Sequence, residues 1–186
     1  DKLCSLQKEM GIHFPVYILI TKCDKIPGFN SLCHELPDSL KRNMVGWSNP
    51  NTLETAFNIN WVDDAYSDIQ HGLFQAVMEI FTVKPNVEGG NDLFLLPEKI
   101  GSLLEPTKLF LKNIFKESSF HRPFFFRGIY FTGSDDVEDN EAEKPLFLKD
   151  LFDQKIFPED SLAKIVDETM LSKHRNLRMV QIAFAL

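Results

Sequence analysis

Cysteine is scarce: Cys4, Cys23 and Cys33 are the only three in 186 residues. The number is odd and no C-x-x-C pair occurs, which argues against a disulfide framework and against a structural zinc site. A reducing compartment is the simplest reading. Positive charge is in deficit as well. The net charge is -7, so nonspecific electrostatic binding to nucleic acid is not expected. A phosphate cradle of the form G-x-x-x-x-G-K-[ST] is missing, because Gly11, Gly28 and Gly46 have no such partners. Without it there is no backbone N–H nest, no triphosphate lysine and no Mg²⁺ hydroxyl, and the chain by itself is not expected to hydrolyse a nucleoside triphosphate. A signal peptide is lacking too. The chain begins with Asp1 and reads as a piece of something longer.

What is present is an ordinary globular mixture, 44% hydrophobic and 25% charged, with phenylalanine over-used at 17. The length suits one domain with a sizeable core. Val16 to Ile20 is a continuous apolar run between turn residues, the pattern of a short strand fully buried in a parallel sheet. Pro27-Gly28 marks a loop. Phe29 to Arg42 reads as a helix interrupted near Pro37. The stretch from Met44 to Val62, rich in Asn, Gly and aromatics, has no helical period and reads as irregular or as a β-hairpin.

From Asp63 the pattern changes. Tyr66, Ile69, Leu73, Val77 and Ile80 recur at steps of three and four, an amphipathic helix with Asp63 and Asp64 at its start. A second helical stretch is expected from Pro97 to Phe115, kinked or split at Pro106. "FFFRGIYFTG", from Phe124, is the second strong strand, ending at Gly133. Asp135, Asp136, Glu138, Asp139, Glu141 and Glu143 follow in what reads as a solvated, mobile loop. Leu148, Leu151, Phe152 and Ile156 mark one face of a short amphipathic helix stopped by Pro158. At the C-terminal end, Lys173, His174, Arg175 and Arg178 precede an apolar run from Met179 to Leu186. The run is far shorter than the roughly 20 residues of a membrane span. It fits either the cytoplasmic flank of a truncated span or a docked amphipathic helix.

Chemistry concentrates at Thr21-Lys22-Cys23-Asp24, the tip of the first strand. In α/β folds the carboxyl ends of strands face the ligand crevice. A carboxylate there accepts from the N1 and N2 donors of guanine and leaves adenine mismatched, while a lysine stem lies over the base. The tetrapeptide fits the base-recognition element [NT]-K-x-D of GTPases. The plainer reading makes Lys22 and Asp24 the polar exit of a strand, with Asp24 capping the loop through Lys25. Cys33-His34-Glu35 is not a catalytic or metal site, since neighbours on a helix point about 100° apart. The acidic loop has no turn glycine of a calcium loop.

Four blocks together, "PVYILITKCDKIPGF", "VGWSNP", "FFRGIYFTGS" and "FLKDLFDQKIFPEDSLA", resemble the IcmF/TssM family of bacterial secretion systems. The first matches that family's strand–T-K-x-D–[LI]-x-P-G-F through Thr21, Lys22, Asp24, Ile26, Pro27, Gly28 and Phe29. Arg127, Gly128, Tyr130, Phe131 and Thr132 match its R-G-x-Y-F-T strand, with Gly133 in place of the usual Ser. Leu151, Phe152, Ile156, Phe157, Pro158 and Glu159 match its L-F-x-x-x-I-F-P-E segment.

The resemblance implies an α/β fold, a partial GTPase-like parallel sheet flanked by helices, with a mostly helical insertion. Residues 1–178 would be the C-terminal part of a cytoplasmic GTPase-like domain, and 179–186 the start of a truncated transmembrane segment. The implied role is a scaffold in the inner-membrane complex of a type VI or Dot/Icm-type IVB secretion system, cytoplasmic here, docking a small DotU/TssL-like membrane partner. The alternative is a GTP- or ATP-dependent switch whose phosphate loop lies upstream, with Thr21, Lys22 and Asp24 as base-binding residues. Phe124, Phe125 and Trp47 are contact points under the scaffold reading and ordinary core otherwise.

Overall fold

The structure, a computed structural model, describes residues 5–6, 9, 12–52, 55–115, 124–134, 145–159 and 164–165. Along the chain run β1 (Ile12–His13), β2 (Pro15–Ile20), a 3-10 turn (Cys23–Lys25), α1 (Phe29–Glu35), α2 (Asp38–Lys41) and β3 (Val45–Ser48). Three longer helices follow: α3 (Asn60–Val83), α4 (Gly90–Gly101) and α5 (Leu104–Ile114). Then come β4 (Phe125–Phe131), β5 (Gly133–Ser134), β6 (Pro145–Leu146), a π-helical turn (Leu151–Ile156) and β7 (Lys164–Ile165).

The two strands that stand out in the sequence are neighbours. β2 pairs parallel with β4, from Pro15 opposite Phe125 to Ile20 opposite Phe131. β3 pairs antiparallel on the other edge of β4, giving the order β2-β4-β3. The main sheet is therefore small and mixed, not wholly parallel. Four residues with a glycine in the middle carry too little β signal to show β3 in advance. Burial follows position in the sheet. β4, in the centre, is buried at every residue except half-buried Arg127. β2 is half-buried, with Leu19 exposed, because among the described residues it pairs on one side only. The expectation of a fully buried strand thus belongs to β4.

Between β2 and β4 the register slips by one residue: Val16 faces Phe126, but Tyr17 faces Gly128. Arg127 is the extra residue of this bulge, and bulges turn side chains in new directions.

The helices build the core over the sheet. Val62, Ala65, Tyr66, Ile69, Leu73 and Val77 form the buried stripe of α3, which begins three residues ahead of the expected Asp63. Pro37 separates α1 from α2 as its chemistry requires. The break between α4 and α5 falls at 102–103 instead of Pro106. Pro106 sits in the first turn of α5, where its missing N–H has no intrahelical acceptor to lose. Pro97, expected to begin the stretch, lies inside α4.

Phe124 and Phe125 are buried, and half-buried Trp47 stacks on Phe126 at 6.2 Å, so these aromatics are core. Phe152 departs from the expected apolar face. The Phe157 N–H bonds to the Phe152 carbonyl at 3.0 Å, a five-residue step that rotates Phe152 outward while Leu151 stays buried. The acidic run at 135–144 and the C-terminal stretch at 173–186 lie outside the described residues. Among the described residues no helix is long and apolar enough to cross a membrane.

Gly28 shows how tightly the loop after β2 is fixed. Its φ is +94°, and a Cβ there would stand 2.2 Å from the Asp92 carbonyl oxygen of α4. Gly28→Ala is expected to cost about 3 kcal/mol, from the left-handed backbone and the clash together. Urea unfolding measures it, and a cost below about 1 kcal/mol would show that α4 gives way freely.

Candidate functional site

Backbone bonds fasten the tip of β2 to the end of β4. The Thr132 N–H donates to the Ile20 carbonyl at 2.9 Å, and the Cys23 N–H to the Thr132 carbonyl at 3.1 Å. Between them Lys22 takes a left-handed conformation, φ 62° and ψ 34°, which turns the chain into the 3-10 turn. A non-glycine residue at such a φ is uncommon and has to be imposed by its surroundings.

Thr21 and Lys22 are exposed at this tip. Asp24 is beside them but its side chain is only 4% exposed. One carboxylate oxygen accepts the Ser134 N–H at 3.2 Å, and the other lies 3.0 Å from the Lys25 ammonium. Burial works against its charge, but the bonds from Lys25 and from the Ser134 N–H outweigh it and hold its carboxyl below the usual range. The close approach explains Gly133. A Cβ at that position would stand 2.9 Å from the Asp24 nitrogen and 2.7 Å from the Phe29 ring. The absence of a side chain at Gly133 is thus what lets β5 close over Asp24. Cys23 is wholly buried below, and burial pushes its thiol up to about 11.

A second polar cluster, not singled out as a site from the sequence, lies at the other end of β2. Arg127 grips Glu159 with two bonds, Nε to Oε2 at 2.8 Å and Nη2 to Oε1 at 2.7 Å. The Tyr17 hydroxyl donates to the same carboxylate at 2.5 Å, and Lys155 lies 2.8 Å from it. The second terminal nitrogen of Arg127 donates to the Asn49 carbonyl. Asn49, fully buried, donates from Nδ2 to the Phe126 carbonyl at 2.8 Å. Burial opposes the charge on Glu159, but the bonds from Arg127, Lys155 and Tyr17 prevail and take its carboxyl down to about 2. The Tyr17 hydroxyl is pushed well above its ordinary value, by burial first and then by its bond to Glu159. These groups tie β2, β4, the chain after β3 and the segment after the π-helical turn into one unit. The bonds run between elements far apart in the chain, so the cluster fastens the fold.

Cys33, His34 and Glu35 do not converge: Cys33 is buried, His34 exposed, and Glu35 pairs with Lys84 at 2.7 Å. Among the described residues no three His, Cys, Asp or Glu side chains come together as a metal set.

Residues 1–138 match the family model of the IcmF-related N-terminal domain. Over 137 residues the chain is 24% identical to the type VI secretion system component TssM1 of Pseudomonas aeruginosa, a match covering 70% of this chain and 12% of that protein. No solved structure matches the chain.

Proposed function

The chain belongs to the IcmF-related N-terminal domain family, and from that membership we propose that it is a scaffold segment of a bacterial secretion-system membrane complex. The type VI system is favoured by the likeness to TssM1. In this reading the segment is the C-terminal part of a GTPase-like unit on the cytoplasmic side of the inner membrane. It docks a small DotU/TssL-like membrane partner, and 179–186 begin a transmembrane segment. The Dot/Icm-type IVB system is the other assembly in which such a scaffold would serve.

The observation that carries the scaffold over the switch is the state of Asp24. Its carboxylate already has the Ser134 N–H and the Lys25 ammonium as partners and almost no exposed surface. A guanine base would have to displace both. The parallel pairing of β2 with β4 supports a GTPase-like ancestry, and Thr21 and Lys22 at the tip keep the switch as the alternative, with GTP or ATP bound through an upstream phosphate loop.

Titration of the full-length protein with GDP and xanthosine diphosphate, in wild type and Asp24→Asn, separates the two. The scaffold reading expects no difference between the variants. Loss of GDP affinity by about tenfold or more in Asp24→Asn, with xanthosine diphosphate spared, would establish base reading by Asp24, because the amide presents one donor to guanine's two. Co-purification of the full-length protein with its small membrane partner tests the docking directly, and its failure in intact membranes would count against the scaffold.

A further inference from the structure

Between α3 and α4 the chain turns through Pro85, Asn86 and Val87, and a cleft opens beside the turn. Its apolar lining includes Met78 and Phe81 from α3 and Phe94 and Leu95 from α4. Phe94 is 53% exposed and Met78 is 43% exposed. Phe74, one turn before Met78, extends the same face and is also exposed. Large apolar groups gathered in this way mark interaction surfaces more often than single exposed residues do.

The charges around the cleft say what would cover it. α3 carries no lysine or arginine, and Glu79 follows Met78; its other acidic residues, Asp63, Asp64 and Asp68, stand at the far end of the helix, Asp63 paired with Lys108. The cleft is lined by Glu88 and Asp92 and by no basic side chain. The nearest cations are committed: Lys84 to Glu35 at 2.7 Å and Lys99 to Asp92 at 2.6 Å. Glu79, on α3, and Glu88, at the turn, have no such partner among the described residues. A rim of this sign repels an anionic lipid surface and attracts lysine and arginine.

We infer that this cleft docks an amphipathic helix of a partner protein, one whose apolar face is flanked by basic residues. Two helices form the walls, and Phe74, Met78, Phe94 and Leu95 supply the contacts that anchors at i, i+3, i+4 and i+7 of such a helix would meet. Glu79 and Glu88 pair with its basic flanks, setting its orientation and speeding encounter. The surface is far in the chain from Asp24, and the inference holds whether or not that residue reads a base.

The test uses the full-length protein and a labelled synthetic peptide of about 18 residues, five helical turns, with leucines on one face and lysines beside them. Fluorescence anisotropy is expected to show saturable binding. Phe94→Asp and Met78→Asp should each weaken it about tenfold or more, as buried anchors do. Glu79→Lys combined with Glu88→Lys should weaken it similarly and flatten its salt dependence. Leu40→Asp, an exposed apolar site on α2, should leave it unchanged. A peptide with glutamates in place of the lysines should bind about tenfold more weakly. Circular dichroism melts verify that the variants are folded, and the charge reversal, made wholly at exposed side chains, stands if an aspartate variant is not. Equal affinity for both peptides, or equal binding by all variants, would overturn the inference. So would concentration-dependent self-association abolished by Phe94→Asp, which would make a second copy the occupant.

Discussion

Glu159→Ala is expected to lower the unfolding free energy by about 3 kcal/mol, a large share of the stability of a chain this size. The loss comes from both sides of the contact. Four bonds to the carboxylate vanish, from Tyr17, Lys155 and the Nε and Nη2 of Arg127. Arg127, whose side chain is 14% exposed, is then left charged and largely buried, with the Asn49 carbonyl as its remaining hydrogen-bond partner among the described residues. Urea unfolding at neutral pH checks the magnitude, and a loss under about 1 kcal/mol would mean that water replaces the carboxylate without penalty. The pH response follows from the direction of the shift. Glu159 ionises more readily folded, at about 2 against an ordinary 4.5, so its contribution is complete above pH 4.5 and is lost as the pH falls from there towards 2. Glu159→Gln removes the titration. The difference in stability between wild type and Glu159→Gln should therefore be constant above about pH 5 and shrink below it. A difference that grows on acidification contradicts the assignment.

Phe126→Ala is expected to cost more, about 4 kcal/mol, because the cavity opens where three elements meet the sheet. The ring stacks on Trp47 at 6.2 Å and meets Phe57 edge-on at 5.4 Å and Phe115 edge-on at 5.5 Å. These partners come from β3, the segment before α3 and the residue after α5, so no single neighbour can move to fill the space. Phe126→Leu keeps much of the volume and should cost roughly half as much. Thermal unfolding of the two variants beside wild type measures the gap, and equal losses would show that ring geometry contributes and volume does not.

How far these features were legible depends on the range over which each is decided. The strands at Val16 and Phe124 and the long helix through Tyr66 declare themselves because burial periodicity is local. A shared parallel sheet was expected for the two strands; they are parallel neighbours, but in a small mixed sheet. For 44–62 irregular chain and a β-hairpin were both left open, and the four residues of β3 could not show that their partner is the edge of β4. Pro106 misled because the same proline that breaks a helix in its interior starts one in its first turn. Phe152 misled because the winding there is π and not α. At the tip, Thr21, Lys22 and Asp24 were visible as a motif, but the closure over Asp24 was not. It depends on Ser134, 110 residues away, and on Gly133 having no side chain. Arg127 and Glu159 were both named as family matches, yet nothing in their 32-residue separation shows that they meet. The bulge that aims Arg127 is a property of the β2–β4 register.

That register has a consequence for how the protein is made. β2 emerges well before its described partner, which begins at Phe125. At about 5–20 residues per second, roughly 5–20 s of translation separate the two strands. Tyr17 waits longer still for Glu159, 142 positions on. Through that interval Pro15–Ile20, a β-branched and aromatic segment without charge, is without β4 on the nascent chain, and segments of this type self-associate when unpaired. Helices α3, α4 and α5 are complete before β4 exists and are able to pack on one another meanwhile. Ribosome pausing between residues 20 and 125 would lengthen the exposure, and chaperone occupancy of the nascent chain should concentrate at that first strand.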